Sequence, residues 1–405
     1  MKKLLSLMLT LAVAMTMFVM PVNAAGREMT TSEFKTAYAV AAGEYKLTED
    51  VVITDKFNFQ ENAVIDLGGF TLALKVSDSY VTGIYSVTIK NGTIDLSETN
   101  NAGNGIICIG EGYNGADGTL VLDNVDVTGT DISSGAGTFF LYENSVLRMI
   151  NGTAVTITNE GCSAAYIIYC NDGIGATVEI TDSSITSTDA NSGLFNGNVT
   201  IDNSTLDLDV KDNGINGFTS GMELKVIDSE VTVENGAGRA LSLAGTSNAS
   251  FVNSEFTSKN NAEAAILYKS GATGKVTADK NSTIVMEGNV KLSVADKPNL
   301  TPEEYADYIA TENKITVEAD GTTVIKPEQP AATETPAATG EHVWGYNTQY
   351  DAAAHWDYCH VCGAQNTPVA HSDANGDGVC DCGWVLANTP SRVNPNTGVT
   401  ADMLK

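Results

Sequence analysis

Histidine is absent from the first 341 residues of this 405-residue chain, and all four copies lie between His342 and His371. No Ser–His or Cys–His nucleophilic pair can therefore form in the larger part of the protein. Arginine is almost as scarce, with only Arg148 and Arg239 between residues 45 and 325. Cations are few overall: 22 Lys and Arg stand against 50 Asp and Glu, a formal net charge of −28. That balance argues against nucleic acid and anionic membrane as partners, because both need basic patches. Beyond residue 20 no apolar run is long enough to span a bilayer.

What is present is a repeat. One short pattern recurs: an apolar strand, an Asn or Asp, a small residue, then more strand. It reads VTIKNGTIDL at 87–96, LVLDNVDV at 120–127, LRMINGTAV at 147–155 and VEITDSSIT at 178–186. It continues as VTIDNSTLDL at 199–208, LKVIDSEVTV at 224–233, ASFVNSEFT at 249–257 and KNSTIVM at 280–286. The turn residues are Asn91, Asn124, Asn151, Asp182, Asn203, Asp228, Asn253 and Asn281, with a mean spacing of (281 − 91)/7, roughly 27. Periods of about 20–50 residues signal stacked repeats.

A second strand keeps the same beat, centred on Ile107, Phe140, Ile167, Leu194, Ile215, Leu241 and Ile266. The two series lengthen and shorten together, so each repeat is one coil with loop insertions. Apolar positions alternate with Thr, Asn and Ser, which is strand periodicity. A single coil cannot bury its apolar face, whereas stacked coils share a continuous core. Asn and Asp suit the corner because both tolerate the left-handed backbone region, and a following Gly or Ser relaxes the turn.

The corner pattern, over about residues 45 to 325, resembles the right-handed parallel β-helix of the pectin-lyase-like superfamily, in which Asn residues stack at one corner. The resemblance implies an all-β solenoid of that hand. It implies little about function, since the superfamily holds lyases, hydrolases, adhesins and inert spacers. Its polygalacturonase-type hydrolases carry Asp-Asp and His-Gly signatures, and the repeats contain neither. Its pectate-lyase-type enzymes need calcium carboxylates and a Lys or Arg base. Asp207 and Asp209 share one strand face beside Lys211, though a solvated acidic face is the simpler reading of them.

Both ends of the repeats are bracketed. Residues 1–24 read as a secretory signal peptide, with Lys2 and Lys3, an apolar core and a Val22-x-Ala24 cleavage pattern. The β-helix occupies 25–326, with amphipathic helices expected as end caps at about 29–43 and 301–311. Thr30 and Glu33 in the first, and Thr301, Pro302 and Glu304 in the second, stand at capping positions. A Pro/Ala/Thr linker follows at 327–341, then a small module at 342–384, then a flexible tail at 385–405 holding Asn394-Pro395-Asn396-Thr397-Gly398. That tail resembles a sortase sorting signal, and the module is similar to small HW…CxxCG units near the C-termini of Gram-positive surface proteins.

Four of the seven cysteines fall in the module. Cys359, Cys362, Cys380 and Cys382 match either a zinc site or two disulfides, with His355, His360 or His371 able to replace a ligand. Asp373, Asn375, Asp377 and Asp381 occupy ligand positions of a calcium loop that lacks its closing Glu. The repeats themselves call for no cofactor. Cys108, Cys162 and Cys170 sit in apolar strand contexts and read as small buried hydrophobes. Tyr142, Tyr166, Tyr169 and Tyr268, on or near the second strand series, are candidates for stacking on sugar rings. The expectation is a monomeric, secreted or cell-wall-attached rod without catalytic residues. It would bind glycan or a surface protein of host or neighbouring cells. A calcium-dependent polysaccharide lyase is the alternative and a passive stalk the third.

Overall fold

The structure, a computed structural model, describes most of residues 42–327, with gaps at 55–56, 60–61, 76–80, 84–85, 99–104, 111–116, 131–136, 159–165, 172–174, 218–220, 289, 296 and 298–299. It also describes 27–29, 39–40, 348–350, 354–357, 365–372 and 380. Two compact units result, Met1–Pro327 and Glu328–Lys405. The expected signal peptide, residues 328–341 of the linker, and the tail lie outside the described residues.

The first unit is all-β and built from long parallel sheets. One repeat contributes three strands, such as Thr177–Thr181, Ser184–Ala190 and Ser192–Phe195. Each pairs in parallel with its counterpart one repeat on, so Val178 faces Val199, Ile185 faces Leu206 and Leu194 faces Ile215. Three columns of strands follow, an arrangement consistent with a β-helix-like solenoid. In the third column Ile107, Phe139, Ile168, Leu194, Ile215, Leu241, Ile266 and Leu292 stand in register. All eight are buried and belong to one continuous core, joined by the matching rows of the other columns. Burying each such side chain contributes about 1.5–3 kcal/mol, which no isolated coil could collect.

The first corner explains the repeat signature. Asn91, Asn124, Asn151, Asp182, Asn203, Asp228 and Asn253 all take φ between 46 and 58°, a region costly for most L-residues. Their side chains also bond along the stack. Asn203 Nδ2 donates to Asp182 Oδ1 at 2.5 Å, and Asn253 Nδ2 to Asp228 Oδ1 at 2.6 Å. The small residue after the corner does more than relax it. The Ser183 N–H donates to Ser204 Oγ at 3.0 Å, Ser204 to Ser229 at 2.9 Å, Ser229 to Ser254 at 3.1 Å and Ser254 to Ser282 at 3.2 Å. Buried N–H groups that the turn would orphan are thereby satisfied.

Asn281 departs from the expected column. Phe251 pairs with Ala278 and Glu255 with Thr283. Three residues (252–254) thus face four (279–282), and the longer corner leaves Asn281 outside the left-handed set. The other two corners use the same device at Asn144 and Asn196, and at Asp189, Asn235 and Asn260.

The expected end helices need correction. Within 29–43, Met29, Ala39–Val40 and Gly43 are strand, and 30–38 lies outside the described residues. At the other end a 3-10 helix covers only Pro302–Asp307, and Ile309–Thr311 is a further strand of the stack. Glu304 does reach back to the Thr301 N–H, at 2.9 Å. Tyr305 enters the core at 1% exposure. Thr323–Lys326 then pairs antiparallel onto Thr283–Met286, covering one parallel edge, and Lys314–Val317 pairs antiparallel onto its other side. Among the described residues no helix is long and apolar enough to cross a membrane.

The second unit contains a three-stranded antiparallel sheet, Thr348–Tyr350, Ala354–Asp357 and Val369–Ala370.

Candidate functional site

Along the third column, side chains alternate between the core and the opposite face of the sheet. Ile107 and Ile109 point to the core, as do Phe139 and Leu141, while Cys108 and Phe140 form a separate apolar cluster on the other side. In register with them stand Tyr169, Phe195, Asn216 and Ser242. The parallel pairing stacks rings of successive coils. Phe140 and Tyr169 lie 5.3 Å apart between centroids and Tyr169 and Phe195 4.6 Å, both pairs within 8° of parallel. Tyr142 meets Phe140 edge-on at 4.8 Å. Tyr166 tilts against Tyr169 and Phe195 at 5.8 and 4.9 Å. Gly137 makes this packing possible: a Cβ there would lie 2.7 Å from the Tyr166 carbonyl oxygen and 3.3 Å from the Tyr169 Cβ.

The ladder turns polar after Phe195. The Tyr166 hydroxyl accepts from Asn216 Nδ2 at 3.3 Å, and Asn216 Oδ1 accepts from Ser242 Oγ at 2.6 Å and Lys269 Nζ at 3.1 Å. Arg239 donates to Asn213 Oδ1 at 3.2 Å and pairs with Glu263, while its buried Nε has no partner among the described residues. Burial, helped by the nearby Arg239 charge, pushes the Lys269 ammonium down to about 8. Burial also raises the Tyr166 phenol, against the Asn216 hydrogen bond, and raises the Asp212 carboxyl, against Arg239. Phe140, Phe195, Asn216 and Ser242 are buried in this ladder, while Tyr142, Tyr166, Tyr169, Arg239 and Lys269 stay partly exposed. That combination can stack on a flat ring and bond to its hydroxyl or carboxylate substituents.

Three of the four tyrosines singled out by sequence meet here, and all three are partly buried. Tyr268 does not belong with them. It lies two residues beyond the inward-facing Ile266, so it too enters the core, at 1% exposure, with its hydroxyl donating to the Tyr308 carbonyl oxygen at 2.6 Å. Asn216, Ser242, Arg239 and Lys269 were not read as one site, because only the register joins residues so far apart in sequence.

Among the described residues the acidic strand does not converge on a cation position. Asp209 accepts from Asn235 Nδ2 at 2.9 Å, Asp189 pairs with Lys211 at 3.1 Å, and Asp207 is exposed. Cys108 and Cys170 are buried, and burial pushes the Cys170 thiol up to about 12, which leaves it inert. Cys162 lies outside the described residues.

In the second unit the side chains of His355, His371 and Cys380 come together, with all ligand atoms within 4.8 Å of one another, a cluster that could hold a metal ion. Cys359, Cys362, Cys382, Asp373, Asn375, Asp377 and Asp381 lie outside the described residues.

No protein-family model matches the chain, and no curated protein or solved structure matches it either.

Proposed function

We propose that the chain is a secreted or cell-surface right-handed parallel β-helix of the pectin-lyase-like kind that binds glycans on host or neighbouring cells. One observation supports this reading above the rest. The partly exposed Tyr142, Tyr166 and Tyr169 pack with the buried Phe140 and Phe195 as an outer ladder, on the face of the strands opposite the common core. Lys269 and Arg239 at its polar end favour an acidic sugar. A panel of neutral and uronic-acid polysaccharides tests this with the full chain. Acidic glycans bind, and binding weakens as pH rises from 7 to 9.5, because the Lys269 charge is lost through about 8. Equal binding of neutral and acidic polymers, or none of either, contradicts it.

A calcium-dependent lyase acting on acidic glycans is the second reading, and the lowered Lys269 ammonium favours it. A neutral Lys269 could take the proton α to a uronate carboxylate. The electron pair then forms a carbon–carbon double bond, the glycosidic C–O bond breaks, and the departing oxygen gains a proton. This reading has the opposite pH sign, with activity rising through about 8. Unsaturated product in the presence of calcium, lost in Lys269→Met, would establish it over simple binding.

A further inference from the structure

We propose that His355, His371 and Cys380 form a transition-metal site in the C-terminal unit, with zinc the ion whose donor preferences match. The sheet brings the donors together. Ala354–Asp357 pairs antiparallel with Val369–Ala370, and His355 stands opposite Val369. His371 lies two residues beyond Val369, so it is the diagonal neighbour of His355 on the same face. The two rings are 5.5 Å apart between centroids. Cys380 closes the set, its Sγ 3.8 Å from His355 Nδ1 and the residue only 3% exposed.

The geometry suits one ion. Zinc bonds of about 2.0–2.1 Å to nitrogen and 2.3 Å to sulfur, in a tetrahedron, leave nitrogen and sulfur roughly 3.5 Å apart. The observed 3.8 Å closes to that with a shift of a few tenths of an ångström. Two imidazoles and one thiolate are borderline-soft donors, which select zinc and its neighbours over magnesium or calcium. The unit also needs a staple. Its strands are 3, 4 and 2 residues long, and Cys380 is its only buried residue among those described. A unit this small is commonly held by metal or disulfides. Of the four thiols that spacing suggested, the described residues contain only Cys380, and it stands with two histidines. The three donors among the described residues leave a fourth position for another ligand.

The full chain, loaded with zinc, freed of excess and analysed for metal, tests the site. One equivalent of zinc is expected, and cobalt substitution should give a thiolate-to-cobalt charge-transfer band. His355→Ala and His371→Ala should each lower zinc affinity at least tenfold, Cys380→Ser should abolish the cobalt band, and His355→Cys, which restores a donor, should keep the metal. The melting transition of the first unit serves as the folding control and should not move. Full zinc retention in both alanine variants, no zinc in the wild-type chain, or Cys380 found in a disulfide would each overturn the proposal.

Discussion

Two ladders run along the stack, and they differ in reach. The corner ladder of Asn, Asp and the following Ser recurs in coil after coil, and it satisfies backbone groups. The outer ladder on the third column is local: Phe140, Tyr169 and Phe195 stack, then Asn216 and Ser242 replace rings. A feature required by the architecture must repeat with the architecture. A feature confined to a few coils answers to something else, and recognition is the role proposed for it here. Adjacent residues make the contrast sharp, since Phe139 fills the common core and Phe140 the local outer cluster.

The comparison breaks first at the core. Phe139→Ala should destabilise the first unit by about 3–5 kcal/mol, read as a lowered urea midpoint, whereas Tyr142→Ala, at a partly exposed ring, should cost under about 1 kcal/mol. Ser229→Ala comes next. It removes the acceptor of the Ser204 N–H, at 2.9 Å, and strands a buried donor, a loss of about 1–3 kcal/mol. Asn203→Ala should cost about 1–2 kcal/mol because φ there is 46°. Asn203→Gly should lose less, keeping the backbone while giving up the bond to Asp182. Smallest is Arg148→Ala, whose 2.6 Å pair with Glu179 is solvent-exposed; its effect should stay below about 1 kcal/mol and shrink further in high salt. Equal losses at Phe139 and Tyr142 would erase the distinction between the two faces.

The period and the first corner were legible because they rest on local chemistry: a left-handed turn selects Asn or Asp wherever it occurs. The serine ladder was legible only as smallness, since its hydrogen bonds cross to the next coil. Tyr268 was misread for a reason visible in retrospect, because it shares strand parity with Ile266. Asn281 carries the right residue type in a corner one residue too long. The expected N-terminal helix gave way at its edges to strand pairing, as with Met29 facing Leu47. Capping residues set where a helix starts, but the unsatisfied edge of the stack decides what covers it. At the polar end of the aromatic face, Asn216, Arg239 and Lys269 meet through register alone, and register is specified by the whole stack.

The most direct test of glycan recognition by the outer ladder is an affinity titration of the full chain with the acidic polysaccharide that binds it best. Wild type is compared with the double variant Tyr142→Ala/Tyr166→Ala and with the corner variant Asn203→Gly. Two rings at about 0.5–1.5 kcal/mol each correspond to roughly 5- to 150-fold. The double variant is therefore predicted to bind at least about fivefold more weakly, while Asn203→Gly binds as wild type. Unchanged affinity in the double variant, with its fold intact, would contradict the account.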